Sequence, residues 1–462
     1  MPPSLATIIY AGFAAFMFWR DVRERPNITG AVWLVFFWVV ISGGLFVSDW
    51  LNIFGLNVGG TSVEEGSPVD AVVFLILIGR GLYILGRRQV SWSEFFRQNP
   101  WVAMYLIYCL AACFWSDFPL VAAKRWFKLF GQPVMVLLIL TEPDPLESFT
   151  RLMKRCAFVI VPISVLFIKY FPEYGRAYDT WSGMGMNTGM TTNKNTLGCD
   201  CFILALFYVW HFLRVWQQEP GKERKWELIG SGVMMVGVAW LLYMAHSSTS
   251  IGSLILALAL MGFVSLKFIN RRQIGLYLFV IVTVLGVAEV TFGLHKLIIE
   301  ALGRNTTLTG RTDIWEILTH WDVNPLLGVG FESFWLGVRV DMIADMLGGL
   351  RINEAHNGYL ETYINLGGLG LALTFAMVAA TYFKAQRDLT LNFHYGRFRL
   401  AYLAAFLVYN WTEAAFRTHC VPFFIFFLIA IDYPRLEPEP VSEWQPASVQ
   451  KPDNLSPNDS VV

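Results

Sequence analysis

The chain has 462 residues, of which 55% are hydrophobic, 16% aromatic and only 15% charged. With a positive mean hydropathy, this composition excludes a string of soluble domains and describes a polytopic membrane protein. The 35 basic and 35 acidic side chains cancel, so the net charge is silent on partners and gives no footing for nucleic acid.

Apolar runs long enough to cross a hydrocarbon core of roughly 30 Å recur at residues 5–19, 29–48, 68–86, 100–115, 119–141, 152–171, 197–216, 227–245, 250–269, 274–293, 358–383, 398–416 and 419–433. They are continuous and rich in Leu, Ala, Met and Phe, where a membrane barrel would alternate apolar with polar residues. The expected fold is an all-α bundle of 12 or 13 transmembrane helices. The first run lacks a basic start and has no small-residue cleavage site before "RDVRERP", so it reads as a short first span and not as a cleavable signal.

Lys and Arg set the orientation. Connectors beginning at Arg20, Arg87, Glu142, Arg214, Lys267 and Lys384 each carry at least three basic residues, whereas those at 49–67, 116–118 and 246–249 carry none. The first set is expected in the cytoplasm and the second outside, together with two long loops, 172–196 and 294–356. The first loop, rich in Gly, Thr and Asn, should be irregular. In the second, Asp313 and Glu316 have capping-box spacing, and Ile314, Trp315, Leu318 and Trp321 follow at helical intervals until Asn324-Pro325. This predicts an amphipathic helix lying on the bundle. Residues 1–433 should form the bundle with its loops, and the Pro-, Ser- and acid-rich residues 434–462 a disordered cytoplasmic tail. The six cysteines fall in or beside apolar runs and read as small buried hydrophobes, with neither disulfide nor metal spacing.

The outer face gathers Lys124, Arg125 and Lys128, then Arg176 and Lys194 in the first long loop, Arg304, Arg311, Arg339 and Arg351 in the second, and Arg417 at the last outer turn. Such a cluster suits a lipid-attached phosphate or pyrophosphate, which guanidinium groups bind bidentately. The alternative is pairing with outer carboxylates such as Asp179, Glu332 or Asp341. His356 stands just before a predicted helix start, where the helix dipole disfavours imidazolium; a neutral ring beside Glu354 could act as general base or orient a hydroxyl. The plainer reading of His356 is a cap or an interfacial hydrogen-bonding group.

Four pieces, "TTNKNTLG" (191–198), "SSTS" (247–250), "LTGRTDIW…NPLLGVGFESFW" (308–335) and "EAHNGYLE…LGGLGL" (354–371), occur in an order and topology that resemble the O-antigen ligase family, which also includes O-antigen and exopolysaccharide polymerases. The resemblance covers residues 100–433. It implies a C-type glycosyltransferase-like bundle with a large periplasmic loop in the bacterial inner membrane, using no metal or cofactor and taking a glycan from undecaprenyl pyrophosphate. The acceptor would be a glycan, lipid A core or a protein hydroxyl. Carried over by motif, Arg311 and Lys194 would hold the pyrophosphate, and His356, with Glu354, would stand at the acceptor hydroxyl. Asn195, Arg125, Lys124, Arg176, Arg304 and Asn357 complete the expected substrate-binding set, together with Glu413 in the late "NWTEAAFR" motif. A transporter or flippase of lipid-linked sugars would share the composition but should hold its key charges near the midplane. Inside a predicted span, Arg80 is the clearest charge, and it is close enough to the inner end to snorkel.

Overall fold

The computed structural model describes residues 1–24, 26–56, 58, 66–178, 183–292 and 311–433, without side chains at 285 and 287–292. In chain order the helices are α1 (Pro3–Arg23), α2 (Val32–Gly43), α3 (Val47–Ile53), α4 (Pro68–Arg87), α5 (Trp92–Gln98), α6 (Pro100–Ala111), α7 (Pro119–Leu140), α8 (Pro145–Tyr170) and α9 (Pro172–Gly175). They continue with α10 (Lys194–Trp216), α11 (Lys222–Ala245), α12 (Ser248–Phe263), α13 (Ile274–Phe292), α14 (Arg311–Thr319), α15 (Val338–Met346), α16 (Gly358–Leu391), α17 (Phe393–Thr412) and α18 (Val421–Ala430). The protein is an all-α polytopic membrane protein. Arg304 and the tail 434–462 lie outside the described residues.

Each predicted apolar run contains a helix, but the runs do not become uniform spans. Among the described residues five helices, α1, α4, α10, α11 and α16, are long and apolar enough to cross a membrane; the α2–α3 pair makes a sixth if its 71° bend is counted within one span. That bend divides run 29–48 at Gly43-Gly44. A Cβ on Gly43 would fall 2.8 Å from Val421 Cγ2 and 3.1 Å from both Asp200 carboxyl oxygens, and one on Gly44 2.7 Å from Met190 Cε. Glycine therefore lets the chain turn where three other segments press on it. Run 419–433 contributes only the ten residues of α18, all buried. Walled by protein, this short helix need not match the lipid thickness.

The two ends of the bundle carry different chemistry. At the end expected to be cytoplasmic, basic residues are spent on ion pairs: Arg151 and Arg155 hold Asp21 at 3.0 and 2.8 Å, and Lys154 holds Glu227 at 2.8 Å. Arg399, wholly buried, joins Asp388 at 2.6 Å to Asp432 at 2.9 Å and so fastens the chain after α18. Arg80 is exposed on the bundle surface, its guanidinium 5.7 Å from the Tyr83 ring. All six cysteines are free thiols, five of them buried.

The outer loops depart from expectation in two places. Residues 172–196 are not irregular throughout: after α9, a short antiparallel hairpin pairs β1 (Arg176–Tyr178) with β2 (Gly185–Asn187). The helix in the second loop starts at Arg311, so Asp313 sits inside its first turn and is not its cap; there it complements the helix dipole. Its buried Ile314 and Leu318 join Phe334, Trp335, Ile343, Ile352 and Ile364 in an apolar cluster separate from the main core.

The loop is also bound to the bundle through the backbone. α16 is broken at Gly367 (φ 64°), which releases main-chain groups within the apolar run 358–383. The loop segment 325–330 takes them up: Val329 N–H donates to Ile364 O (3.1 Å) and Gly330 N–H to Asn365 O (2.9 Å), while Gly368 N–H donates to Pro325 O (2.8 Å) and Leu369 N–H to Leu326 O (3.2 Å). Gly328 (φ 67°) and Gly367 lie so close to the opposite strand of this stitch that a Cβ on either would overlap its backbone. Gly367→Ala should therefore lower the thermal unfolding midpoint in detergent, with about 1–3 kcal/mol lost to the left-handed backbone alone and more to the overlap. Gly232→Ala on α11, where a Cβ meets nothing within 4 Å, should leave the midpoint unchanged or raise it.

Candidate active site

α16 begins at Asn357, whose side-chain oxygen accepts from the backbone N–H groups of Tyr359 and Leu360 at 3.0 Å each. The residue before it, His356, has φ 46°, a left-handed conformation that a non-glycine residue holds only when its surroundings fix it. They do so on both sides. Ala355 N–H donates to Glu361 Oε2 at 2.8 Å, and Trp315 Nε1 on α14 donates to Ala355 O at 2.9 Å. Glu361, only 5% exposed, also accepts from Trp335 Nε1 at 2.9 Å. Indoles from two parts of the outer loop thus fix the turn that presents His356.

Glu413 meets this turn where α17 ends. Gly358 N–H donates to Glu413 O at 3.1 Å, and Arg311 Nη2, at the start of α14, donates to Glu413 Oε1 at 2.5 Å. His356 Nδ1 lies 3.2 Å from Glu354 Oε1 and 3.5 Å from Glu413 Oε2, in ion-pair reach of both carboxylates but aligned with neither as a hydrogen bond. Arg417 Nη1 completes the row with Glu354 Oε2 at 2.6 Å. The order is Arg417, Glu354, His356, Glu413, Arg311, alternating in sign when the ring is protonated. The donor atoms of Glu354, His356 and Glu413 fall within 4.8 Å of one another and are of metal-ligating type, but each carboxylate already engages a guanidinium.

Electrostatics reverses one expectation. Burial lowers the His356 pKa, but the Glu413 and Glu354 carboxylates raise it further than burial and Arg311 bring it down, so it lies above the ordinary histidine value. The helix N-terminus that was to keep the ring neutral is outweighed by two full charges at contact distance.

Beside this row lies a cavity of about 270 Å³ whose lining includes Asn195, Asp200, Glu332, Glu354, Glu413 and His419. Arg311, Glu354, His356 and Glu413 are thus brought together, and Asn195 faces the same cavity. Lys194 opens α10 next to Asn195 and is itself engaged. The other expected substrate-binding residues take different positions. Arg125 donates to the Glu332 carbonyl, Asn357 caps α16, and Lys124 is exposed. Arg176 donates to Ile168 O at 3.1 and 2.8 Å, covering the end of α8. Arg339 pairs with Asp117 at 2.7 Å and Arg351 with Asp341, as the pairing alternative anticipated.

Two cavity residues had no assigned role in the sequence reading. Asp200, in the second turn of α10, is 3% exposed; a carboxyl inside an apolar run is a signal that could have found it. His419 packs its ring against Phe46 and Phe74 at centroid distances of 5.8 and 5.0 Å. Burial, followed by the nearby Lys128, Arg417 and Arg125, pushes its pKa well below the ordinary histidine value. His356 and His419 are therefore driven in opposite directions.

A helical membrane bundle that closes a polar cavity beside a row of ionised side chains is a multi-pass protein with an enzyme-like centre at one end. Residues 233–375, which include Arg311, Glu354 and His356, match the family described as O-antigen ligase. The chain is also similar to the exopolysaccharide production protein ExoQ of Rhizobium meliloti (strain 1021), with 26% identity over 300 residues, 63% of this chain and 66% of that protein. The alignment thus spans a little under two thirds of the relative. Over these parts of its length the chain is similar to O-antigen ligase and exopolysaccharide production proteins.

The charge row makes a direct prediction. In protein labelled with ¹³C-histidine, the His356 imidazole should titrate above the ordinary histidine value. Glu413→Gln should lower that pKa, because the imidazolium loses an adjacent negative charge; a shift upward, or none, would contradict the arrangement described.

Proposed function

We propose that the protein is a metal-independent, inverting glycosyltransferase of a bacterial inner membrane, moving a glycan from undecaprenyl pyrophosphate to an acceptor hydroxyl on the periplasmic side. The observation that carries this reading is the contact of one carboxylate, Glu413, with both Arg311 and His356 at the mouth of a polar cavity. The likeness to an exopolysaccharide production protein favours an exopolysaccharide repeat as the glycan.

The mechanism follows from where charge appears. The acceptor oxygen bonds to the anomeric carbon as the bond from that carbon to the pyrophosphate oxygen breaks, and attack from the opposite side inverts the centre. Negative charge grows on the leaving oxygens. Arg311 has five N–H donors and gives Nη2 to Glu413, so it can meet those oxygens while staying anchored. Lys194, at the start of α10, would add an ammonium. The proton lost by the hydroxyl goes to His356 in its neutral form, and the flanking Glu354 and Glu413 carboxylates stabilise the imidazolium produced. The domain division follows: bundle and outer loops act together as one catalytic unit, residues 1–433, and residues 434–462 take no part.

The test uses purified protein in lipid nanodiscs with a lipid-linked oligosaccharide, scoring release of undecaprenyl pyrophosphate and growth of product. Wild type should turn over in the presence of EDTA. His356→Ala and Arg311→Ala should each lose on the order of a hundredfold or more in rate while keeping a monodisperse elution profile. Donor alone should yield a ladder if the acceptor is another repeat. Transport without pyrophosphate release, or wild-type rates in both variants, would overturn the proposal.

A further inference from the structure

The cavity and the charge row have different characters. Among the ionisable groups lining the cavity, Asp200, Glu332, Glu354 and Glu413 outnumber the single guanidinium of Arg417, which is already paired with Glu354. Such a lining offers a pyrophosphate no guanidinium that is not already paired. It suits a neutral ligand rich in hydroxyls, which can donate to carboxylate oxygens and accept from other groups.

The inner end of the cavity supplies the more specific observation. Asp200 is 97% removed from solvent (3% exposed), and its Oδ2 has no hydrogen-bonding partner among the described residues. A buried carboxyl oxygen left without a partner costs free energy, and the cost is expected to be retained only for a purpose. The carboxyl lies at the cavity wall against Gly43, where any side chain would crowd both of its oxygens. The bend at Gly43-Gly44 therefore opens space directly in front of it. Across the lining, His419 Nδ1 also has no partner in the protein, and its ring is held by Phe46 and Phe74. Asp200 and His419, from different segments, thus line one space large enough for a single sugar ring.

We propose that this cavity is a saccharide subsite in which Asp200 and His419 hydrogen-bond the hydroxyls of one sugar residue and present the glycan to the His356 end. The proposal rests on the glycosyl-transfer reading for the purpose of the site, but the binding it asserts can be measured without turnover. A neutral His419 ring offers a sugar hydroxyl one acceptor and one donor nitrogen, while the Asp200 carboxyl can accept a hydroxyl proton in either protonation state. The anionic lipid pyrophosphate stays outside, at Arg311.

The probes are methyl glycosides of glucose, galactose, mannose and rhamnose, each added to the full chain in nanodiscs and read by saturation-transfer NMR. At least one should receive saturation from wild type, and its signal should survive an excess of inorganic pyrophosphate. Asp200→Asn, which keeps the shape of the side chain, and His419→Ala, from a different segment, should each weaken binding roughly tenfold, the loss of one good hydrogen bond. The thermal midpoint of Asp200→Asn should not fall, since the carboxyl oxygen it replaces supports nothing in the protein. If Asp200→Asn does not fold, His419→Ala decides alone. Absence of transfer to all four glycosides, equal binding in the folded variants, or displacement by pyrophosphate would overturn the subsite. Glycoside binding that depends on Asp200 in a protein that releases no undecaprenyl pyrophosphate would instead uphold the subsite and refute the transfer reaction.

Discussion

A helix broken within an apolar run needs its main-chain groups satisfied, and in this protein the loop segment 325–330 does so. Where α16 opens at Gly367, the carbonyls of Ile364 and Asn365 receive N–H groups from Val329 and Gly330, and the loop carbonyls of Pro325 and Leu326 receive N–H groups in return. Unpaired, these groups would each cost a substantial part of a hydrogen bond in a medium that offers few alternatives. The stitch fixes the loop on the bundle. With the loop fixed, Trp315 and Trp335 can reach the turn at Ala355 and the Glu361 carboxylate, and the conformation of His356 follows. The glycines at 328 and 367 are present because two backbones meet there at contact distance.

The charge row is the second consequence. Glu413, 7% exposed at the side chain, would be costly to bury alone; Arg311 at 2.5 Å offsets that cost. The same carboxylate raises the proton affinity of His356. One group therefore joins Arg311 to His356, the cation and the ring to which the proposed mechanism assigns the leaving anion and the incoming proton. Arg417 and Glu354 repeat the arrangement on the other side of the ring. The opposite end of the bundle uses comparable pairs differently: Arg399 and its two aspartates join α16, α17 and the segment after α18, and in that position they tie the bundle together.

The packing of α10 links these parts. Its Gly198 sits under the tight turn between α11 and α12, where a Cβ would come 2.5 Å from Ser247 Cβ, and Ser247 and Ser250 bond each other at 3.0 Å. This close approach sets the depth of α10 in the bundle. The depth puts Asn195 and Asp200 in the cavity wall, with Lys194 opening the helix just before them. "TTNKNTLG" and "SSTS" are thus two halves of one contact, as "NPLLGVG" and "NLGG" are of another.

The sequence by itself determined the lipid-crossing class, the positions of the apolar helices, the charge asymmetry of the connectors and the segments that would matter. Hydropathy, Lys and Arg bias and glycine placement are written along the chain and survive without knowledge of neighbours. His356, Arg311, Glu354 and Glu413 were legible as candidates on the resemblance of their motifs. Only the tertiary structure decided how they are connected, since Arg311 and Glu413 are 102 positions apart and no local pattern reports such a pair. The same holds for the histidine, whose raised proton affinity comes from two carboxylates that a helix-dipole argument does not see. Arg125 meets a loop carbonyl, Arg176 a helix end, and Asn357 caps α16, contacts that residue type alone does not report. Asp200 was hidden for the converse reason: its significance lies in the partner its Oδ2 lacks, a property set by the walls of the cavity and not by the residues beside it in the chain.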